Sequence, residues 1–311
     1  MKNRFTIAAV ILTIVLTAFK IDSTETTFDF HSYWDKYNES RYLLRVDSNY
    51  AATLDCIKWM ENNGNSTFPD AYTFYDAALC CNRLGDSIGA AAYLEKSVIK
   101  GMDLLSSPER IKREVGAFAY QSALSHYPEL RKQYSVTKAE SMHLMLEDKK
   151  HTTLDQFARS TIMRETLNEE QHAKILHYVD SVNMAEHIAC VKQGLCRPGG
   201  MIIYHLYGEN ESYFPFLDSC MKVELFAGRL QPETYAFWYD RQLGYVQNVA
   251  QKYGCNVFYT EQSADAKAKI SPLASVDSVD HYRKEIGLPP LWQSAAINRF
   301  DLPADYHPGK K

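Results

Sequence analysis

Between Asp70 and Gly101 the chain reads DAYTFYDAALCCNRLGDSIGAAAYLEKSVIKG. Two amphipathic runs follow one another. The first, Ala71 to Leu84, stops at Gly85; Asp86 can cap the second, Ser87 to Lys100, which Gly101 closes. Small residues Ala77, Ala78 and Ala90 recur among the larger Phe74, Tyr93 and Leu94. Small side chains let two antiparallel helices approach closely while large ones fill the groove between them. Cys80 and Cys81 fall inside the apolar pattern and read as small core residues.

This stretch resembles a tetratricopeptide repeat, a helix-turn-helix unit of about 34 residues. It departs from the pattern at Cys81, where an aromatic is usual, at Ser97, where alanine is usual, and in having no proline near Met102. One period earlier the same positions fall on Leu44, Cys56 and Met60, which suggests a degenerate preceding unit. Two helical patterns fill Phe28 to Asn63, with Ser48 as N-cap of the second and Gly64 as its stop. Ser107 and Pro108 open a further helix expected to run to Tyr127. The resemblance implies a helical repeat domain over residues 24–130. Such units bury their apolar faces only against neighbours. The repeat is therefore either a concave surface for a partner protein or peptide, or a brace for the rest of the chain.

The 311 residues suffice for two ordinary domains, and 46% hydrophobic with 23% charged residues describes a folded chain. A net charge of −4 leaves no electrostatic footprint for nucleic acid. The N-terminus begins Met1-Lys-Asn-Arg4 and continues as an apolar run from Phe5 to Phe19. As a helix that run would be about 22 Å long, short of the roughly 30 Å of a bilayer core. It reads as a secretory signal over residues 1–23, with Leu16-Thr-Ala18 the nearest thing to a cleavage site. The alternative is an uncleaved anchor, the one circumstance in which a membrane enters. The expected location is outside the cytoplasm, periplasmic or secreted, in a bacterial envelope. Seven cysteines, an odd number without a C-x-x-C, leave at least one thiol without an intramolecular partner and suggest no zinc site.

A connection is expected at Tyr127–Ser135, with Pro128 ending the preceding pattern. A second domain follows over residues 136–297. Helices are expected at Thr137–Asp148, Thr152–Glu165 and Glu169–Gln193, the last capped by Asn168 and closed by Gly194. Two more follow at Tyr213–Ala227 and from Gln231 through Arg241. Asn256–Thr260 is the best strand candidate, Ile270–Leu273 a second extended piece, and Asp277–Ile286 a short helix closed by Gly287. The tail, 298–311, is polar and proline-rich and is expected to be poorly ordered. The fold class is thus mainly α: a helical repeat in front, then a mostly helical domain with a few short strands.

A run of short motifs occupies this back half: Asp180-Ser-Val-Asn183, His205, Gly228, Asp240-Arg241, Tyr253-Gly-Cys255, Arg283 and Gly287-Leu288. Together they resemble an uncharacterised family of bacterial domains of unknown function, over roughly Glu140–Leu291. Members carry a histidine in an apolar run, an Asp-Arg pair on a later helix, a Tyr-Gly-Thr turn and an Arg–Gly-Leu ending. Here Tyr204 precedes the histidine where glutamine is expected, and Cys255 replaces the threonine. The resemblance implies an architecture and candidate positions, and no reaction.

The densest chemistry lies in Tyr235-Ala-Phe-Trp-Tyr-Asp-Arg241. Asp240 and Arg241 project about 100° apart on a helix, so each needs a partner elsewhere. His205 and Asp240 are the candidate catalytic pair, base and orienting carboxylate. Arg241 and Arg283 are candidate anion holders through bidentate forks, with Tyr239 and Tyr253 as candidate substrate-binding aromatics. The competing reading makes Asp240, Arg241 and Arg283 a structural network that locks helices together. His143 and His151 read as polar surface residues; His172, His177 and His187 lack the i, i+4 spacing of a metal-binding helix, so no metal is expected. No G-x-S-x-G, P-loop or G-x-G-x-x-G occurs, so no cofactor is expected either. The preferred expectation is an exported protein- or peptide-binding scaffold braced by helical repeats. The alternative is a hydrolase of envelope material working through the His205, Asp240 and arginine positions.

Overall fold

The computed structural model describes residues 28–139, 142–195, 197–199, 208–259 and 268–308. The expected signal segment, Cys196, Tyr204 and His205 lie outside the described residues. The protein is mainly α, with one small sheet among the described residues.

Helices α1 (Phe30–Arg45) and α2 (Tyr50–Asn63) form the first pair. Asp29 caps α1 by accepting the Ser32 N–H, and Asn49, one residue later than the expected Ser48, caps α2 by accepting the Ala52 N–H. The quoted stretch forms the second pair, α3 (Ala71–Arg83) and α4 (Ser87–Ile99), capped by Asp70 and Asp86. Between them Gly85 sits at φ +81° in open space, a conformation glycine adopts without strain. Ala77, Ala78 and Ala90 are fully buried where α3 and α4 meet, as their size requires, and Cys80 and Cys81 are buried beside them. At the far end of the pair the Ser97 hydroxyl donates to the Ala71 carbonyl at 2.7 Å.

The single helix expected from Ser107 to Tyr127 is instead two, α5 (Pro108–Val115) and α6 (Ala117–Ser125). Gly116 between them takes φ +90°, and a Cβ there would lie 2.6 Å from Asn82 Oδ1. The Asn82 amide also donates to the Glu114 carbonyl at 3.1 Å, so α3 fixes the break. Pro128 does not end a pattern as expected. It stands in the first turn of α7 (Tyr127–Ala139), where a missing N–H costs nothing.

Helix α8 (Met142–Ala158) merges parts of two expected helices; α9 (Thr161–Thr166) is a short helix capped by Ser160, and α10 (Glu169–Lys192) follows. Asn168 closes a reciprocal capping box with Gln171, accepting its N–H at 2.9 Å, while Gly194 ends the helix at φ +69°. After a 3₁₀ turn (Gly208–Tyr213) come α11 (Phe214–Phe226) and α12 (Pro232–Arg241), which runs into a π turn, Gln242–Val246. Strand β1 (Val257–Tyr259) pairs antiparallel with β2 (Ala268–Ile270), and β2 pairs parallel with β3 (Phe300–Asp301). Helices α13 (Val279–Glu285) and α14 (Leu291–Asn298) lie between β2 and β3 in the chain.

The tail departs from expectation. Residues 300–301 complete the sheet, and Tyr306 is buried, its hydroxyl donating to Asp280 Oδ2 at 2.7 Å. One buried aromatic with a bonded hydroxyl holds a segment that composition alone marks as loose.

One continuous apolar core joins front and back, running from Phe30, Tyr33 and Trp34 through α2–α7 to Met184, Leu217, Tyr235, Trp238 and Leu288. Polar ties cross the same junction. The buried Asn38 amide donates to the Gly287 carbonyl at 3.0 Å, Arg41 pairs with Glu233 at 2.8 Å, and Gln231 donates to Asp70 at 3.0 Å. Gly287, at φ +77°, lets Trp34 and Phe30 of α1 come against its backbone, where a Cβ would stand 3.0 Å from Trp34.

Candidate functional site

Four of the candidate residues, Asp240, Arg283, Tyr239 and Tyr253, converge on one loop, residues 251–256. Asp240 is on the last turn of α12, fully buried, and both carboxylate oxygens are engaged. Oδ1 accepts the N–H groups of Lys252 at 2.8 Å and Tyr253 at 2.9 Å; Oδ2 accepts that of Cys255 at 2.9 Å. Burial pushes the Asp240 carboxyl above its ordinary value, while these N–H groups and the Arg283 charge pull it back. Arg283, on α13 and 2% exposed, holds the other polarity. Its guanidinium donates to the carbonyls of Tyr253 at 2.6 Å and Pro289 at 2.7 Å, and to the Ser294 hydroxyl. The fork is filled by neutral oxygens of the protein itself. Cys255, beside Arg283, has its thiol pushed up to about 12 by burial.

Gln251 completes the clamp and was not visible in the sequence reading. Its side chain accepts the Asn256 N–H at 2.8 Å and donates to the Ser271 carbonyl at 2.6 Å, tying the loop to the segment after β2. Gly254 turns at φ +70°, and a Cβ there would stand 3.0 Å from the Ile270 and Leu291 side chains and 3.2 Å from Leu273, which explains the glycine of the Tyr-Gly-Cys turn. The aromatic candidates gather on the same loop. Tyr253 is buried, its ring 5.4 Å from that of the half-buried Tyr239 and 6.0 Å from Tyr235. The Tyr235 hydroxyl donates to Asp218 at 2.7 Å. So Asp240, Arg283, Tyr239 and Tyr253 meet; Arg241 is half-buried alongside Asp240, and His205 lies outside the described residues.

A second polar constellation lies between α8 and α10. His151, expected on a polar surface, is 2% exposed, and so is His187; their rings are 6.3 Å apart. Buried with them are Asp155, Asp180 and Asn183. Arg159 grips Asp180 with two bonds of 2.9 Å and also reaches Asp155; Glu186 faces His151 Nε2 at 3.2 Å. Burial and the neighbouring His151 push the His187 imidazole down to about 4. The spacing that marks this face is readable afterwards: 151 and 155 on one helix, 180, 183 and 187 on the other, each set repeating at the helical period. Among the described residues no group of three or more His, Cys, Asp or Glu side chains is placed to hold a metal ion.

The third feature is a groove of about 500 Å³ at the front–back junction, between α1 and the α13–α14 corner. It is lined by Leu288, Pro289 and Pro290, by Tyr42 and Leu43 of α1, and by Gln293 of α14. Trp292 packs edge-on against Tyr42, ring centres 5.7 Å apart. Asp35, Glu39, Asp280 and Lys284 line it; Glu39 pairs with Lys36 at 2.6 Å, and Asp280 accepts the Leu291 N–H and the Tyr306 hydroxyl. No described helix is long and apolar enough to cross a membrane. Comparison of the chain with protein-family models, with curated proteins and with solved structures gives no match.

Proposed function

We propose that this is a non-enzymatic, exported binding module in which tetratricopeptide-like front helices brace the back half, and that the junction groove takes an extended peptide segment bearing basic side chains. The groove carries the reading. Its volume is within the range of about 300–1,000 Å³ typical of ligand sites. Its lining combines prolines, a leucine and the Tyr42 ring with three carboxylates and one lysine, and of the carboxylates Asp35 has no side-chain partner among the described residues. A peptide backbone crossing Tyr42 would place Lys or Arg side chains against Asp35 and Glu39, both exposed.

The hydrolase alternative rests on His205 and Asp240. Asp240 has both oxygens committed to backbone N–H groups, and that arrangement lends general-base or nucleophilic chemistry no support.

The test is anisotropy of labelled peptides of equal length, basic, neutral and acidic, on the full chain. Basic peptides should bind and lose affinity as salt rises. Asp35→Lys with Glu39→Lys should abolish binding without changing the melting temperature. Equal binding of acidic and basic peptides, or binding indifferent to the double variant, sinks the proposal.

A further inference from the structure

Three tyrosine rings surround the ammonium group of Lys252. Its Nζ lies 4.6 Å from the ring centre of Tyr282, 5.2 Å from Tyr253 and 6.0 Å from Tyr239. These distances fall within the reach of cation–π attraction, about 6 Å. Lys252 forms no ion pair among the described residues. The three rings are what the charge faces.

The buried clamp builds this cage. Tyr239 directly precedes Asp240 on α12, and Tyr282 directly precedes Arg283 on α13. Neighbours on a helix point about 100° apart, so each helix sends its charged residue inward to the loop and its tyrosine to the flank. Lys252 and Tyr253 are held by their backbone N–H groups on Asp240. Tyr253 is gripped again through its carbonyl by Arg283. Three rings carried by three separate segments are thereby fixed before anything binds. Lys252 is fixed only at its backbone; its four-carbon stem can swing out.

We propose that Tyr239, Tyr253 and Tyr282 form a binding site for a quaternary ammonium group, with Lys252 as its resident placeholder. A primary ammonium is compact and strongly hydrated, so holding it against rings sacrifices water contacts. A trimethylammonium group carries the same charge with weak hydration and offers methyl groups to the ring faces, the recognition that aromatic cages perform. Such a ligand displaces Lys252 into solvent. Tyr239, Tyr282 and Lys252 are all half-buried, which leaves the cage open on one side. The inference stands on geometry independent of the peptide groove.

The experiment is ligand-observed NMR titration of tetramethylammonium, with tert-butanol as a neutral probe of similar shape. The proteins are the full-length wild type, Lys252→Ala and Lys252→Gln, two replacements so that a folding defect in one leaves the other. Removing the placeholder should tighten tetramethylammonium at least 5-fold over wild type, and tert-butanol should bind at least 5-fold more weakly than the cation. Adding Tyr282→Ala to Lys252→Gln should lose that gain, whereas Tyr282→Phe should keep it, because the ring face and not the hydroxyl binds. Equal binding of both probes, no gain in either Lys252 variant, or an unchanged affinity in the Tyr282→Ala background overturns the proposal.

Discussion

Asp240 and Arg283 hold Tyr253 by its opposite poles: the Tyr253 N–H donates to Asp240 Oδ1 at 2.9 Å, and the Tyr253 carbonyl accepts from Arg283 Nη1 at 2.6 Å. One buried anion takes the N–H groups of the loop, and one buried cation takes carbonyls of the loop and of the α13–α14 connection. Each charge is thereby solvated by backbone dipoles, which offsets much of the desolvation that burial imposes.

Asp240→Asn should cost about 2–4 kcal/mol, because an amide NH₂ replaces an acceptor facing N–H donors. Thermal unfolding followed by circular dichroism should show a fall on the order of 5–10 °C. The exposed carboxylate Glu285, 51% accessible, is the control, and its change to Gln should shift the midpoint by no more than a degree or two. An Asp240→Asn protein that melts like wild type would remove the loop-holding role.

Arg283→Lys should also destabilise, by about 2–3 kcal/mol. A lysine ammonium is a point donor and cannot reach the Pro289, Tyr253 and Ser294 oxygens together. Because both residues act on Tyr253, the double variant Asp240→Asn with Arg283→Lys should be non-additive by about 1 kcal/mol or more in denaturant titrations. Strict additivity would mean that the two grips are independent.

Gly287→Ala tests the front–back junction. The residue needs φ +77° and has Trp34 and Phe30 against its backbone. A methyl there incurs about 1–2 kcal/mol for the left-handed conformation, and displaces α1 as well. Since one core spans both halves, calorimetry should show a single unfolding transition, in wild type at its own midpoint and in the variant at a lower one. Two separated transitions would show that front and back unfold as independent units.

Acid should weaken the protein through His187. Its folded value, about 4, lies below the ordinary 6.5, so between those limits the unfolded chain binds the extra proton. Stability contributed by this residue is therefore present at pH 7 and lost as pH falls, by about 2 kcal/mol at pH 5. Asp76 acts in the opposite sense: burial raises its carboxyl to about 6, so its folded form gains the proton first and stability rises as pH falls from about 6 to 4. The wild-type profile contains both. The difference between wild type and His187→Gln isolates the histidine and should shrink from pH 7 to pH 5; a constant difference would contradict the assignment.

Much of the helical order was legible locally. Asp86 and Asn168 cap where expected, and Gly85, Gly194, Gly228 and Gly287 turn at positive φ where helices stop. The errors came from positions where a distant segment overrode a local signal. Gly116 breaks a helix because Asn82 is packed against it, and Tyr306 anchors the tail because Asp280 accepts its hydroxyl. His151 is polar in type and was read as surface, yet α10 covers it.

Of the candidate site, sequence singled out Asp240 and Arg241 as residues needing partners, and Arg283, Tyr239 and Tyr253 as candidate binding groups. It could not say that the partners are backbone N–H and C=O groups, because every residue carries those and no composition marks them. Gln251 and Lys252 were passed over for the same reason: their roles depend on where a loop is brought, and not on what precedes or follows them.

What the chain determined by itself was the inventory of helices, through apolar period, caps and glycine stops, each an interaction closing within a few residues. What only the tertiary structure decided was which charges face loops, which tyrosines face a lysine, and that α1 seals against Gly287. Those depend on distant segments, such as those of Asn38 and Gly287, 249 positions apart, meeting in one core. Pattern along the sequence has no range that long, whereas burial and hydrogen bonding act on distance in space alone.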